Sequence, residues 1–199
     1  MTELSLGEVE ALCLKAARGA GYDWGLAEEA GAAARWLAAR GLDGPAILLA
    51  LLEARKDLAS LRLTEGRVTQ MDDGPVCPIV LGAYISDLGG MAPLAEVPVL
   101  RPALLLPFLR DARLGWPGGA VSLGPDGTPS GDIGPLAALE RAAVSLERGA
   151  TGPEGGTRST VARTGAEVIE RLDRLALRTT VPASAGSRAD AGAGTDDND

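Results

Sequence analysis

The chain has 199 residues, no histidine, and 27 acidic against 19 basic side chains, for a formal charge of −8. Four of those acids are aspartates in the last ten residues, DAGAGTDDND, so the remaining 23 acids against 19 bases leave −4 on the body. Without histidine a histidine-based triad and the usual zinc site are excluded, and two lysines without a basic stripe give nucleic-acid binding little electrostatic support.

Apolar residues make up 46% of the chain but aromatics only 3%, so Ala, Leu and Val must fill a core in which backbones approach closely. That favours helices lying against a small sheet. At roughly 100–150 residues per domain, the length predicts one α+β domain over 1–177 and a Gly/Asp-rich tail over 178–199. The longest apolar run, GPAILLALLEA, is far short of the ~20 residues a membrane-spanning helix needs. The acidic start MTELSLGEVEA lacks the order of an export signal. A cytoplasmic protein with reduced thiols at Cys13 and Cys77 is expected.

In chain order, Ser5 with Glu8 three residues on has the spacing of a capping box, and Leu6, Val9, Leu12, Cys13 and Ala16 form one helical stripe. Gly19 and Gly21 end that helix. Asp23 then caps a second one over 24–39, with Leu26, Ala30, Ala33 and Leu37 on one face and Trp24, Glu28, Ala32 and Arg35 on the other. Its bulk-free middle, AGAAA, admits close neighbours, so the helix is expected to lie between layers. After GLDGP, Pro45 opens a third helix.

LTEGRVTQMDDGP reads as a loop or irregular hairpin, and CPIVLGAYISD as a strand that begins with Pro78 and is weakened by Gly82. VPVLRPALLLPFLRDARL reads as a strand followed by a short helix, because Pro98 and Pro102 oppose one continuous helix. AVSLGPDGTPSGDI is a hairpin around Gly-Pro-Asp-Gly, and RAAVSLERG is a further strand followed by the Gly-rich ATGPEGG. TGAEVIERLDRLALR is a helix with Val168, Leu172, Leu175 and Ala176 along one side. The fold expected is α+β: N-terminal helices packed on a small central mixed or antiparallel sheet, then a C-terminal helix and an extended tail.

The segment KAARGAGYDWGLAEEA concentrates the candidate chemistry. Lys15 and Arg18 share one side of the first helix near its end, as a clamp for carboxylate or phosphate or as plain complements to the helix dipole. Glu28 beside Trp24 is a candidate general base with an apolar wall; equally, Glu28 or Glu29 could pair with Arg18 and pin the two helices. Tyr84 and Asp87, near the end of the predicted strand, could donate a proton and bind an amine or hydroxyl, or serve as a buried tyrosine and a turn-opening aspartate. Both cysteines lack a partner that lowers their pKa and are read as small apolar residues. In the tail, Arg178 and Arg188 with Thr179, Thr180, Ser184 and Ser187 make a dense donor set, beside aspartates that could bind a cation or only solvate. No cofactor follows from these residues.

LSLGEVEAL, KAARGAGYDWGLAEEA followed by RWLAARGL, GPVCPIVLGAYISD, and RTTVPASAGSR with AGAGTDDND together resemble an uncharacterised bacterial family, a domain of unknown function. The chain departs from it at Thr180, where the family has a tyrosine, and in the glycine run before the final acids. The resemblance supplies no activity. It implies that the opening stretch and the tail are motifs of one design, with the tail folded back or docked in a partner and the Lys15, Arg18 and Trp24 face as the nearest surface. The function expected is a cytoplasmic metabolic protein that binds, or binds and transforms, a small anionic or amide-containing metabolite. The site would lie between the first two helices, the central strand and the tail: Arg18 and Arg188 on the anion, Trp24 as a wall, Glu28 as acid or base, and Lys15, Tyr84, Asp87, Arg178 and Ser187 around them. The alternative is a non-catalytic accessory subunit whose tail docks into a metabolic enzyme or an identical subunit.

Overall fold

The computed structural model describes residues 1–55, 58–64, 67–88, 96–148 and 158–179. Three helices open the fold, and a side chain caps each one. Helix α1 (Leu6–Gly19) starts with the capping box: the Ser5 hydroxyl accepts from the Glu8 amide at 3.2 Å and the Glu8 carboxylate accepts from the Ser5 amide at 2.7 Å. Asp23 accepts from the Leu26 amide at the head of α2 (Trp24–Ala38), and Asp43 from the Ala46 amide at the head of α3 (Gly44–Glu53).

The small residues have specific neighbours. A Cβ built on Gly31, in the AGAAA run of α2, would lie 2.8 Å from the Glu10 carbonyl oxygen of α1, and one on Gly44 would lie 2.0 Å from the Ala34 carbonyl oxygen. Helix α2 therefore packs against α1 and α3 at backbone distance, while its Trp24, Glu28, Ala32 and Arg35 face stays exposed.

Strands β2 (Leu61–Thr64) and β3 (Arg67–Gln70) form an antiparallel hairpin. The next segment corrects an expectation: residues Pro78–Asp87 form helix α4, not a strand. Pro78 occupies the first turn, where its fixed φ suits a helix. Pro78, Leu81, Gly82 and Ile85 are buried at i, i+3, i+4 and i+7, the spacing of one helical face. Gly82 weakens nothing, because the Phe108 ring covers it: an added Cβ would fall 2.3 Å from that ring.

A five-stranded antiparallel sheet follows, with β4 (Val97–Leu100), β5 (Ala112–Trp116), β6 (Gly119–Leu123), β7 (Pro129–Ser130) and β8 (Arg141–Arg148) in the order β4-β8-β5-β6-β7. The β6–β7 connection is the expected turn, with the Gly127 amide donating to the Gly124 carbonyl and Gly127 at φ 74°. The sheet's buried Val99, Leu114, Val121, Leu123, Val144 and Leu146 belong to one core with the 3-10 segment Pro102–Phe108 and the helices. Helix α5 (Gly134–Ala138) precedes β8.

The sequence reading did not anticipate the ribbon that joins the two ends of the described chain. Strand β1 (Thr2–Ser5) pairs antiparallel with β9 (Val161–Thr164), Thr2 opposite Thr164 and Ser5 opposite Val161. Buried Thr164 also donates to the Asp43 carboxylate at 3.1 Å. Helix α6 (Ala166–Ala176) thereby starts beside α3, packs on α1 and runs into a 3-10 turn over Leu177–Thr179.

Candidate functional site

The turn between α1 and α2 is held from two sides. Arg18 donates to the Tyr22 carbonyl at 2.6 Å and lies 4.6 Å from the centre of the Trp24 ring. Arg55, just past the end of α3, donates to the Ala20 carbonyl and sits 4.6 Å from the centre of the Tyr22 ring. Arg55 thus satisfies the carbonyl of the residue that ends α1, where a helix terminus favours positive charge, and Arg18 that of the linker residue just before α2. Tyr22 is buried, and its hydroxyl meets the Cys77 sulfur at 3.1 Å.

Two glycines of the motif are required there. Gly21 adopts φ 93°, and a Cβ on it would come within 2.6 Å of the Arg55 guanidinium. A Cβ on Gly19 would collide with α6, 1.7 Å from the Leu175 carbonyl oxygen.

Beside this turn, the ends of α1 and α3 and the length of α6 enclose a cleft of about 780 Å³. Arg171, Arg174, Leu175 and Arg178 stand at i, i+3, i+4 and i+7 on α6 and the turn after it, so they line one stripe, opposite Ala20, Leu52, Glu53 and Arg55. Leu172 faces inward and is fully buried, which fixes the helix rotation that turns the arginines toward the cleft. Arg171 makes a two-bond contact with Glu53, its Nε donating to Oε1 at 3.0 Å and its Nη2 to Oε2. Among the described residues Arg174 and Arg178 have neither a hydrogen-bond nor an ion-pair partner. Among the described residues that line the cleft, four guanidiniums against one carboxylate leave three formal positive charges.

Of the residues singled out in the sequence, Arg178 lines the cleft and Arg18 and Trp24 flank the adjoining turn. Lys15 is exposed on α1 and Glu28 exposed on α2, and among the described residues neither has a partner; Arg18 pairs with neither Glu28 nor Glu29. Arg35 bonds instead to Glu10 of α1 at 3.1 Å. Trp24 is 64% exposed and is not among the residues that line the cleft. Tyr84 is half-buried and Asp87 exposed on α4, a helix rather than the end of a central strand, and neither is among the described residues that line the cleft. Ser187 and Arg188, with Thr180, Ser184 and the aspartates of the tail, lie outside the described residues.

Sequence reasoning missed Arg55, Arg171 and Arg174. The spacing of the arginines in ERLDRLALR was visible, but an amphipathic helix normally carries such residues on its wet side, and only the position of α3 turns that side into a concavity. Burial pushes the Cys13 thiol up to about 12, with the Asp43 charge adding to it. It also pushes the Cys77 thiol up, against the opposing hydrogen bond from Tyr22. Both thiols are therefore protonated and inert at neutral pH.

Residues 4–70 match the model of a family described as "Protein of unknown function (DUF3726)". The DUF3726 match takes in α1, the α1–α2 turn, α2, α3 with Arg55, and the β2–β3 hairpin; α4, the five-stranded sheet and α6 lie beyond it. The cleft thus draws Ala20, Leu52, Glu53 and Arg55 from the DUF3726 stretch, and Arg171, Arg174, Leu175 and Arg178 from outside it. No curated protein and no solved structure matches the chain. Among the described residues no helix is long and apolar enough to cross a membrane.

Proposed function

We propose that this chain is a cytoplasmic bacterial metabolic protein that binds a small oxyanion, a phosphate or carboxylate group, in the cleft between α1, α3 and α6. The observation that carries this reading is the convergence of Arg55, Arg171, Arg174 and Arg178 on one concave space with a single carboxylate, Glu53, among the described residues that line it. A cation in the last turn of a helix gains roughly 0.3–1 kcal/mol from the helix dipole alone. That accounts for Arg174 and Arg178 one at a time, but not for guanidiniums from two further positions facing the same space. Planar guanidinium forks match carboxylate and phosphate oxygens in pairs, and an anion seated there would meet Arg174 and Arg178 without first breaking a protein contact.

The reading favours binding over catalysis. Glu28, the sequence candidate for an acid or base, sits on the exposed face of α2 outside the cleft, and neither buried thiol can act as a nucleophile. Titration calorimetry with inorganic phosphate and with a small dicarboxylate tests the site. Saturable binding that weakens at least about tenfold in the Arg174→Ala, Arg178→Ala double variant is expected, since one charged hydrogen bond is worth about 1.5–3 kcal/mol. Absence of binding, or equal binding in the variant, would refute it.

A further inference from the structure

The cleft carries three formal positive charges, and the chain runs out of it directly: Arg178 lines the wall, and the last described residue, Thr179, follows at once. The twenty residues beyond, 180–199, hold Asp190, Asp196, Asp197 and Asp199 against the single Arg188, a side-chain charge of −3. Resting on the anion-binding reading above, we propose that the aspartates of this chain's own tail dock in the arginine cleft on Arg174 and Arg178, and compete there with the external anion.

Charge and reach both support this occupant. The opposite charges match in number, three against three. From Arg178 to Asp190 is twelve residues, which extend to at most about 40 Å, while the cleft lies at the root of the tail. A tether of this length holds its ligand at an effective concentration on the order of millimolar, comparable with the level at which a small metabolite would compete. The external ligand must then carry more charge, or better paired oxygens, than a run of single carboxylates. A phosphate or a compact dicarboxylate, able to engage two guanidinium forks at once, meets that demand.

The test uses the full-length chain. Both native thiols are buried, so a spin label attached to Ala193→Cys reacts at that position alone. Broadening of the backbone amide signals of Arg174 and Arg178 is expected, and it should vanish when Asp190, Asp196, Asp197 and Asp199 are all changed to Asn. No broadening would overturn the proposal. So would broadening seen only when labelled chain is mixed with unlabelled, isotopically enriched chain, which would assign the cleft to the tail of a second copy. Phosphate titration supplies the second arm: the four-Asn chain should bind inorganic phosphate about fivefold more tightly, the factor expected if the tail occupies four chains in five. Equal phosphate affinity with and without the aspartates, together with absent broadening, refutes tail docking and leaves the anion site standing. Tail-dependent broadening in a chain that binds no phosphate even as the four-Asn variant refutes the external-anion reading and leaves tail docking standing.

Discussion

At the α1–α2 turn Arg18 donates to a backbone carbonyl and lies along an indole, whereas in the neighbouring cleft Arg174 and Arg178 face open space with no partner among the described residues. The turn holds the more conspicuous sequence, with cations, acids and aromatics between closely set glycines; the cleft wall is an ordinary-looking amphipathic helix. What separates them is the state of the hydrogen-bonding groups. The turn must satisfy the carbonyls of Ala20, at the end of α1, and of Tyr22, in the linker, and its arginines are bonded to them. On the cleft wall Arg171 pairs with Glu53, while Arg174 and Arg178 hold no backbone carbonyl among the described residues and remain available for an outside ligand. Density of charged residues in sequence therefore marks where a backbone needs support as readily as where a ligand binds.

Gly19 is where the two regions meet, and replacing it should have the largest effect. With the Leu175 carbonyl 1.7 Å from where a Cβ would sit, Gly19→Ala forces backbone against backbone and neither side can rotate away. A loss of about 3 kcal/mol or more is expected, seen as a fall in melting temperature of roughly 6–12 °C. Phosphate binding should weaken as well, because α6 carries Arg171, Arg174 and Arg178 away from Arg55. A variant that melts like the parent would show that α6 is not seated on the turn.

The next effect is a dependence on alkaline pH. In the unfolded chain a thiol loses its proton near pH ~8.5; in the fold, burial holds the Cys13 thiol up to about 12 and raises Cys77 too. Between those values the unfolded state binds fewer protons than the folded one, so stability is full below the unfolded pKa and declines as pH rises above it. Each thiol contributes a slope of at most about 1.4 kcal/mol per pH unit. Urea midpoints should fall from about pH 8 to about pH 10, and Cys13→Ala should flatten that fall by one thiol's share. A level profile would mean that the thiols ionise freely in the fold, and would return Cys77 to the candidates for chemistry beside the turn.

Arg18→Ala separates support from binding. Losing the bond to the Tyr22 carbonyl and the stack on Trp24 should cost about 1–2 kcal/mol of stability, while phosphate affinity stays within about twofold. Loss of affinity in a chain that is still folded would move the site from the cleft to the turn.

Local chemistry made much of the fold legible. Ser5, Asp23 and Pro45 announced three helix starts, and Gly-Pro-Asp-Gly announced the β6–β7 turn, because each rests on atoms a few residues apart. Residues 78–87 form a helix where the sequence suggests a strand, because the run from Pro78 to Ile85 has no charged side to betray its period; the helical spacing of Leu81, Gly82 and Ile85 becomes evident only once Phe108 is known to cover the glycine. The β1–β9 ribbon was illegible for a related reason. TELS and VART are short and polar, and their pairing across the length of the chain is set by where α1 and α6 dock. Of the site, Arg178 was found, whereas Arg55, Arg171 and Arg174 were not, since a cleft is formed between elements and no single segment carries it.

Glu28 offers the smallest expected effect and the sharpest reading of the turn. It stands one helical turn beyond Trp24 on a face shared with Ala32 and Arg35, all exposed, and Arg35 is engaged with Glu10 rather than with it. A carboxylate so placed has water on most sides, and removing its charge disturbs no hydrogen bond found among the described residues. Glu28→Gln should therefore change stability by no more than about 0.5 kcal/mol and leave phosphate affinity unchanged. If instead the variant abolished a biological activity while folding and binding phosphate like the parent, Glu28 would belong to a second working surface, on the open face of α2 beside Trp24. The cleft would then be only one of two places where this chain meets its partners.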